Sequence, residues 1–266
     1  QRIKEGRSGS FSWRVVETAP EQLDPSSFNE LKVAEYLKIK GYARREVELG
    51  VGGALVGQWD HEKGHEKSQP FVPRIGMALP VTAVIDFPDS RVAEIRFYDT
   101  MLATHARLGA SIVPLASDLT APLALVMTLR PSRNIGIKSM LRPADYLELC
   151  GLYQLEPFRP NKIPVVLVHG LSKSPAVWIP AVNELRADRE IRENYQFLLF
   201  QYPSGLPALY CGAQLRHHLK LFREHHDPSA SLPAMRRMIL AGKSFGGVIS
   251  SQQIRDSGED LRKLFA

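Results

Sequence analysis

The stretch MILAGKSFGGVIS, residues 238–250, places one serine between an apolar run and a glycine-containing run. The apolar residues before Ser244 are typical of a buried strand, and the residues after it predict a helix. Residues 242–246, GKSFG, have the spacing G-x-S-x-G. Glycines on both sides of a serine permit a tight turn in which backbones approach closely. The stretch therefore predicts a strand, a sharp turn that exposes the serine hydroxyl, and a helix.

Outward from this turn, the chain after residue 157 alternates between strand and helix patterns. Strands are predicted in IPVVLVHG, YQFLLFQYP and RRMILAGKS, and helices in SPAVWIPAVNELRAD, LPALYCGAQLRHHLKLFREHH and FGGVISSQQIRDSGEDL. This alternation is typical of a parallel sheet covered by helices. We therefore expect an α/β domain over residues 158–266.

A second motif, VVLVHGL, ends the first of these strands at His169, Gly170 and Leu171. A serine that attacks an acyl carbonyl needs hydrogen-bond donors for the oxyanion that develops. The backbone N–H of Phe245, at the start of the helix, can supply one donor. The backbone N–H of Leu171 can supply the second, and His169 is expected to order the loop that carries it.

Residues 158–266 resemble the first half of an α/β-hydrolase of the lipase and esterase branch, and bacterial lipase-like hydrolases in particular. The motifs that carry this resemblance are PVVLVHGLSKSPAVW, FQYPSG and MILAGKSFGGVIS. It implies that Ser244 is the nucleophile and that Leu171 and Phe245 form the oxyanion hole. The supporting motif residues are His169, Gly170, Gly242 and Gly246. Lys243 departs from the family, which often has histidine at this place.

The resemblance also implies an acid and then a histidine base, each on a loop after a later strand. Residues 252–266, QQIRDSGEDLRKLFA, include Asp256, Glu259 and Asp260 but no histidine. We therefore expect this chain to be truncated inside its catalytic domain, with acid and base encoded downstream. On its own it is expected to be nearly inactive.

The N-terminal part, residues 1–157, is predicted to be a mostly β module whose role the sequence does not indicate. Its predicted strands are EVELGVGGALVG, IGMALPVTAVIDF, VAEIRFYD and APLALVMTL, and its predicted helices are SSFNELKVAEYLKIKGY and RPADYLELC. The stretch EPFRPNKIP has three prolines and predicts an exposed linker between the two domains.

Two other motifs suggest different chemistry. AGKS ends like a phosphate-binding loop, but that motif needs glycine at Arg237 and a loop where the sequence predicts a strand. HEKGHE at residues 61–66 satisfies H-E-x-x-H, but Gly64 interrupts it and no helix is indicated. A loop without a metal is the favoured interpretation. His217, His218, His225 and His226 are expected to form a solvated helix face.

Composition excludes several classes of function. Lysine and arginine exceed aspartate and glutamate by 6 charges, but both signs are interspersed, which argues against a nucleic-acid surface. Cys150 and Cys211 indicate neither a disulfide framework nor a metal site, and no cofactor is predicted. Contact with a membrane surface, the compartment and the oligomeric state stay open. The sequence thus predicts a serine hydrolase of carboxylic, lipid-type esters. The alternative is a noncatalytic binding or scaffold protein with the same fold.

Overall fold

A computed structural model of the protein describes residues 5–59, 70–128 and 135–255. Over these residues the protein is mixed α/β, with strands that form four sheets. The HEKGHE motif at residues 61–66 lies outside the described residues. Within the described ranges, no helix combines the length and the apolar character needed to span a membrane.

Contacts divide the chain into two compact units, and each unit is discontinuous in sequence. The first unit contains Gln1–Arg130 and Pro180–Glu193, and the second contains Pro131–Ile179 and Asn194–Ala266. The chain passes from one unit to the other at residues 130–131, 179–180 and 193–194. The sequence predicted a boundary at residues 157 and 158.

A six-stranded sheet forms the first unit. Its elements in chain order are β1 (Glu5–Ser8), β2 (Phe11–Val15), β3 (Glu30–Val33), β4 (Val47–Glu48), β5 (Gly53–Trp59), β6 (Met77–Asp89), β7 (Val92–Asp99), β8 (His105–Leu108), β9 (Ser111–Pro114), β10 (Ser117–Asp118) and the helix α1 (Thr120–Thr128). The sheet order is β1-β2-β7-β6-β5-β3. Strands β2 and β7 are parallel and the other neighbours are antiparallel. Two short antiparallel pairs, β4 with β10 and β8 with β9, also lie in this unit.

The helix predicted over residues 26–42 is wrong. Residues 25–27 and 34–36 form single 3-10 turns, and β3 lies between them. Strand β3 pairs antiparallel with β5, from Glu30 opposite Gln58 to Val33 opposite Leu55. Pairing with a strand distant in sequence overrides the local helical preference.

The strand predicted in APLALVMTL is also wrong, because residues 121–128 of this stretch lie in α1. Leucine, alanine and methionine are strong helix formers, and a proline in the first turn is compatible with a helix. The carboxylate of Asp118 accepts hydrogen bonds from the N–H groups of Thr120 (3.0 Å) and Ala121 (2.8 Å). This cap satisfies donors that a helix start leaves open.

From residue 135 onward the elements are α2 (Ile135–Leu141), β11 (Gly151–Gln154), β12 (Ile163–Val168), α3 (Ile179–Ala187), α4 (Arg189–Asn194), β13 (Tyr195–Gln201), α5 (Ala208–His226), α6 (Pro233–Arg236), β14 (Ile239–Gly242) and α7 (Phe245–Ser251). RPADYLELC forms a 3-10 helix at Pro143–Leu149. The sheet order is β11-β13-β12-β14. Strand β12 is parallel to both β13 and β14, and β11 is antiparallel to β13. The three strands predicted after residue 157 are confirmed.

Most of α3 and α4 packs within the first unit. The buried Asn183 accepts a hydrogen bond from the hydroxyl of Thr120 (2.7 Å) and donates one to the carbonyl of Arg44 (3.1 Å). The buried Arg192 forms an ion pair with Glu48 at 2.8 Å. Buried polar groups need such partners, so these bonds hold the two helices on the first unit.

The proline-rich stretch EPFRPNKIP is a connection between β11 and β12 inside the second unit, and both of its ends are buried. The ammonium of Lys162 lies 3.3 Å from the carboxylate of Glu156, and their side chains are 1% and 2% exposed. The exposed linker predicted here is therefore wrong. Only the turn at Pro160 and Asn161 is exposed.

Candidate functional site

Ser244 lies in the turn between β14 and α7, beside the loop that follows β12. Val168 at the end of β12 is in register with Gly242 at the end of β14. Parallel strands bring the two following loops to one edge of the sheet. A Cβ atom added to Gly170 would lie 3.3 Å from the Cβ of Ser244 and 3.8 Å from its Oγ. The structure thus brings together the two sequence motifs.

The backbone of Ser244 is in a strained conformation, with φ 55° and ψ −123°. Residues other than glycine rarely adopt a positive φ. Those that do are concentrated at functional sites. The residue is exposed, and its side chain makes no capping hydrogen bond to α7. The turn therefore presents the hydroxyl to solvent, as the sequence predicts.

This strain should appear in the stability of two variants. We expect Ser244→Gly to be more stable than Ser244→Ala by about 1 kcal/mol, because glycine adopts positive φ without penalty. At Ser251, in α7, the alanine variant should instead be more stable than the glycine variant by up to about 1 kcal/mol, because glycine is a poor helix former. Urea denaturation measures both pairs. Equal stability of the two Ser244 variants would show that the backbone at this position is not strained.

Close backbone approach explains why glycines flank the serine. A Cβ on Gly246 would overlap the carbonyl oxygen of Val168, and one on Gly242 would overlap the carbonyl of Gly246. The N–H of Lys243 donates to the carbonyl of Val168 at 3.1 Å. These contacts hold α7 and the turn tightly against the end of β12. The motif glycines therefore have the structural role that the spacing predicts.

The two backbone donors predicted for an oxyanion flank this serine. The N–H of Phe245 is the first of α7, and a helix start leaves such groups without a partner in the helix. Within the described ranges, neither the N–H of Phe245 nor that of Leu171 has a hydrogen-bond acceptor. Leu171 follows Gly170, which lies against Ser244. Both N–H groups thus lack an acceptor among the described residues, and both belong to segments that adjoin Ser244.

Sequence reasoning missed two residues that hold the Leu171 loop, which runs from His169 to Lys173. The hydroxyl of Tyr202 donates to the carbonyl of His169 at 2.6 Å, and their rings stack with centroids 4.3 Å apart. The N–H of Ser172 donates to the hydroxyl oxygen of Ser204 at 3.0 Å. Burial raises the pKa of Tyr202, with a smaller contribution from Cys211, so its hydroxyl stays a donor. The only sequence signal was their place in FQYPSG, directly after β13.

His169 is fully buried, and its Nδ1 donates to the carbonyl of Gly170 at 2.9 Å. This geometry agrees with the expected role in ordering the loop. None of the histidines that the structure describes hydrogen-bonds to Ser244. The site as described therefore has a hydroxyl and donors but no imidazole base.

The solvated helix face predicted for the α5 histidines is wrong for two of the four. His217 and His225 are exposed, but His218 and His226 are half-buried. The ring of His226 stacks on Phe158 with centroids 4.1 Å apart. Burial, and to a smaller extent His225, lowers the pKa of His226 to about 4. Burial, and then His217, lowers the pKa of His218. Both are packing residues that are neutral at pH 7.

The AGKS motif and the two cysteines, for which the sequence favoured no chemistry, lie in the described part of the chain. The residues before Lys243, where a phosphate-binding loop would be required, form strand β14. Burial raises the thiol pKa of Cys150 to about 12 and that of Cys211 to about 11, and both are free thiols. In the described part of the chain, no group of three or more His, Cys, Asp or Glu side chains is arranged to hold a metal ion.

The aromatic side chains of Trp178 and Phe245 are both half-buried. The ring centroid of Phe245 lies 6.4 Å from that of Tyr202, which places it beside the anchored loop. The indole Nε1 of Trp178 is buried and has no hydrogen-bond partner among the described residues.

No protein-family model, no curated protein and no solved structure matches this chain.

Proposed function

We propose that the protein is a serine hydrolase that cleaves carboxylic esters, of the lipid type, through an acyl-enzyme on Ser244. The second unit is then the first part of an α/β-hydrolase sheet. The observation that carries the proposal is the strained, exposed Ser244 near two backbone N–H groups that have no acceptor among the described residues, those of Leu171 and Phe245. Strain at a hydroxyl that has no packing role is expected where the hydroxyl has chemistry to perform.

In this proposal the Oγ of Ser244 attacks the ester carbonyl carbon while a base takes its proton. The carbonyl oxygen becomes an oxyanion, which accepts hydrogen bonds from the N–H groups of Leu171 and Phe245. The alkoxide leaves with a proton from the base, and the acyl group stays on the serine. Water then attacks the acyl carbon, and the carboxylic acid is released. Loss of one such oxyanion donor costs roughly 100- to 1,000-fold in rate.

The base and its acid partner are proposed to lie outside the described residues. Strand β14 is at the edge of the described sheet, where Ile239 is 42% exposed. Val248 on α7 is 51% exposed. Parallel strands in α/β proteins are normally covered on both faces, so this edge is apolar surface that further structure would cover. We propose that such structure brings the base to Ser244.

A noncatalytic binding or scaffold protein is the second candidate. The observation that favours it is that no described histidine reaches Ser244. Fold and turn geometry alone do not establish catalysis. The two candidates differ in the reactivity of the serine, which can be measured directly.

The test is labelling of the 266-residue chain with a fluorophosphonate probe, with the modified residue identified by mass spectrometry. We expect slow labelling of Ser244, because oxyanion donors accelerate attack even without a base. Added imidazole should raise the rate at least tenfold, since it supplies the general base that the described site lacks. Ser244→Ala should remove the signal, and Lys243→Ala serves as a neighbouring control that keeps it.

Labelling confined to Ser244 and accelerated by imidazole would support the hydrolase. A chain that stays unlabelled with imidazole would favour the scaffold. Fast labelling and ordinary ester turnover without imidazole would show that a base is already present, and the proposal that it lies outside the described residues would be wrong.

A further inference from the structure

We propose that Tyr202 and Ser204 are positioning residues that fix the direction of the Leu171 N–H. This inference rests on the proposed function, in which that N–H binds the oxyanion. Neither side chain touches the reacting atoms in this proposal. Each acts through the loop that runs from His169 to Lys173.

The two side chains hold the loop on both sides of Leu171. On one side, Tyr202 donates to the carbonyl of His169 at 2.6 Å. On the other side, Ser204 accepts from the N–H of Ser172 at 3.0 Å. Tyr202 and Ser204 are 0% and 1% exposed, so both bonds are shielded from water. The peptide group that carries the Leu171 N–H therefore lies between two peptide groups that are each fixed by a hydrogen bond.

The loop also has a backbone that would not keep its shape without support. Ser172 has φ 56°, a conformation that costs a non-glycine residue about 1–2 kcal/mol. The N–H of Lys173 donates to the carbonyl of Gly170 at 3.3 Å, which closes a tight turn. Strained turns persist only where the surroundings over-determine them. The Ser204 bond is made by the strained residue itself.

Helix α2 packs against the backbone of the same loop at Ser172 and Lys173. A Cβ on Gly136 would overlap the carbonyl oxygen of Ser172 and lie 2.6 Å from the carbonyl carbon of Lys173. A Cβ on Gly205, next to Ser204, would overlap the carbonyl oxygen of Met140. The backbone of α2 is thus in contact with both the Leu171 loop and the segment that anchors it, and the loop cannot retreat from Ser244.

Removal of either anchor should affect the reaction more than the fold. Oxyanion stabilisation depends on donors that are already aimed at the developing charge, and a displacement of about 1 Å can cost 100-fold. Tyr202→Phe keeps the ring stacked on His169 and removes only the donor. Ser204→Ala removes the acceptor of Ser172, whereas Ser204→Thr retains a hydroxyl.

The experiment measures fluorophosphonate labelling of the 266-residue chain in imidazole buffer, which supplies the same base to every variant. We expect Tyr202→Phe and Ser204→Ala to lower the maximal labelling rate about tenfold or more, with the half-saturating probe concentration unchanged. Ser204→Thr should restore most of the rate. The matched control is Tyr153→Phe, which removes a tyrosine hydroxyl bond to Leu149 in the same unit and should change the rate less than twofold.

The second readout is the amide NMR signal of Leu171 and the hydrogen exchange of Ser172, which require no reaction. Both should change in Ser204→Ala and return in Ser204→Thr, and they decide the matter if Tyr202→Phe fails to fold. A wild-type chain that does not label contradicts the proposed function and this inference with it. A wild-type chain that labels while Tyr202→Phe and Ser204→Ala label equally fast overturns this inference alone.

Discussion

Gly246→Ala is expected to lower the free energy of unfolding by about 3 kcal/mol and to slow labelling of Ser244 at least 100-fold. An alanine Cβ at this position would overlap the carbonyl oxygen of Val168 and lie 2.6 Å from that of His169. Backbone atoms at the end of a central strand cannot move aside as a flexible side chain can. Either α7 shifts away from β12 or the strand ends separate, and both changes displace Ser244 from the Leu171 loop.

Gly247→Ala is the matched control, one residue further along the same helix. Its Cβ would lie 3.5 Å from the nearest atom, the carbonyl oxygen of Gly242, which is an ordinary contact. Alanine is a better helix former than glycine by about 1 kcal/mol, so this variant should be as stable as the wild type or more so. Urea denaturation and probe labelling measure both variants. If the two alanines behave alike, the close approach at Gly246 is not what shapes the turn.

Lys162→Met is expected to have a similarly large effect, a loss of about 3–5 kcal/mol in the free energy of unfolding. The side chain of Lys162 is 1% exposed and its ammonium lies 3.3 Å from the carboxylate of Glu156, which is 2% exposed. Methionine has a similar volume and an unbranched side chain that is one atom shorter, and it carries no charge. The buried carboxylate of Glu156 then loses the ammonium of Lys162, and removal of one member of a buried ion pair is costly.

The double variant Glu156→Leu with Lys162→Met should recover most of the lost stability. A buried ion pair replaced as a whole by apolar groups is often neutral, whereas half of a pair is not. The coupling energy from the four chains, measured by urea denaturation, should therefore be large. If Lys162→Met alone costs less than 1 kcal/mol, the pair is not buried as described. Ser244 labelling of the double variant reports whether the connection from β11 to β12 also affects the site.

Patterns that are local in sequence predicted the strands and the turn around Ser244. The apolar runs of β12, β13 and β14 form strands because each run is short, continuous and flanked by turn residues. The glycines at 242 and 246 predicted a tight turn, and a Cβ on Gly246 would overlap the carbonyl oxygen of Val168 while one on Gly242 would overlap the carbonyl of Gly246. Parallel pairing of β12 with β14 then placed Gly170 beside Ser244, as the order of the two motifs indicates.

Elements that depend on distant partners were predicted less well. Glu30–Val33, within the segment over residues 26–42, form β3 because they pair with the edge of β5, and the sequence of the segment does not identify that partner. Asp118 and the helix formers after it could have identified α1, but the apolar composition suited a strand equally well. Helix α3 was predicted correctly as a helix, but its packing on the first unit depends on Asn183 bonds to residues far earlier in the chain.

The sequence by itself determined the alternation of strands and helices after residue 157, the strained turn at Ser244 and its neighbour motif at Gly170. These depend on periodicity and on glycine, and both act over a few residues. Only the tertiary structure decided that Tyr202 and Ser204 anchor the Leu171 loop and that Lys162 pairs with Glu156. Hydrogen bonds and ion pairs of this kind form between side chains that the folded backbone brings together, and burial from water determines their strength.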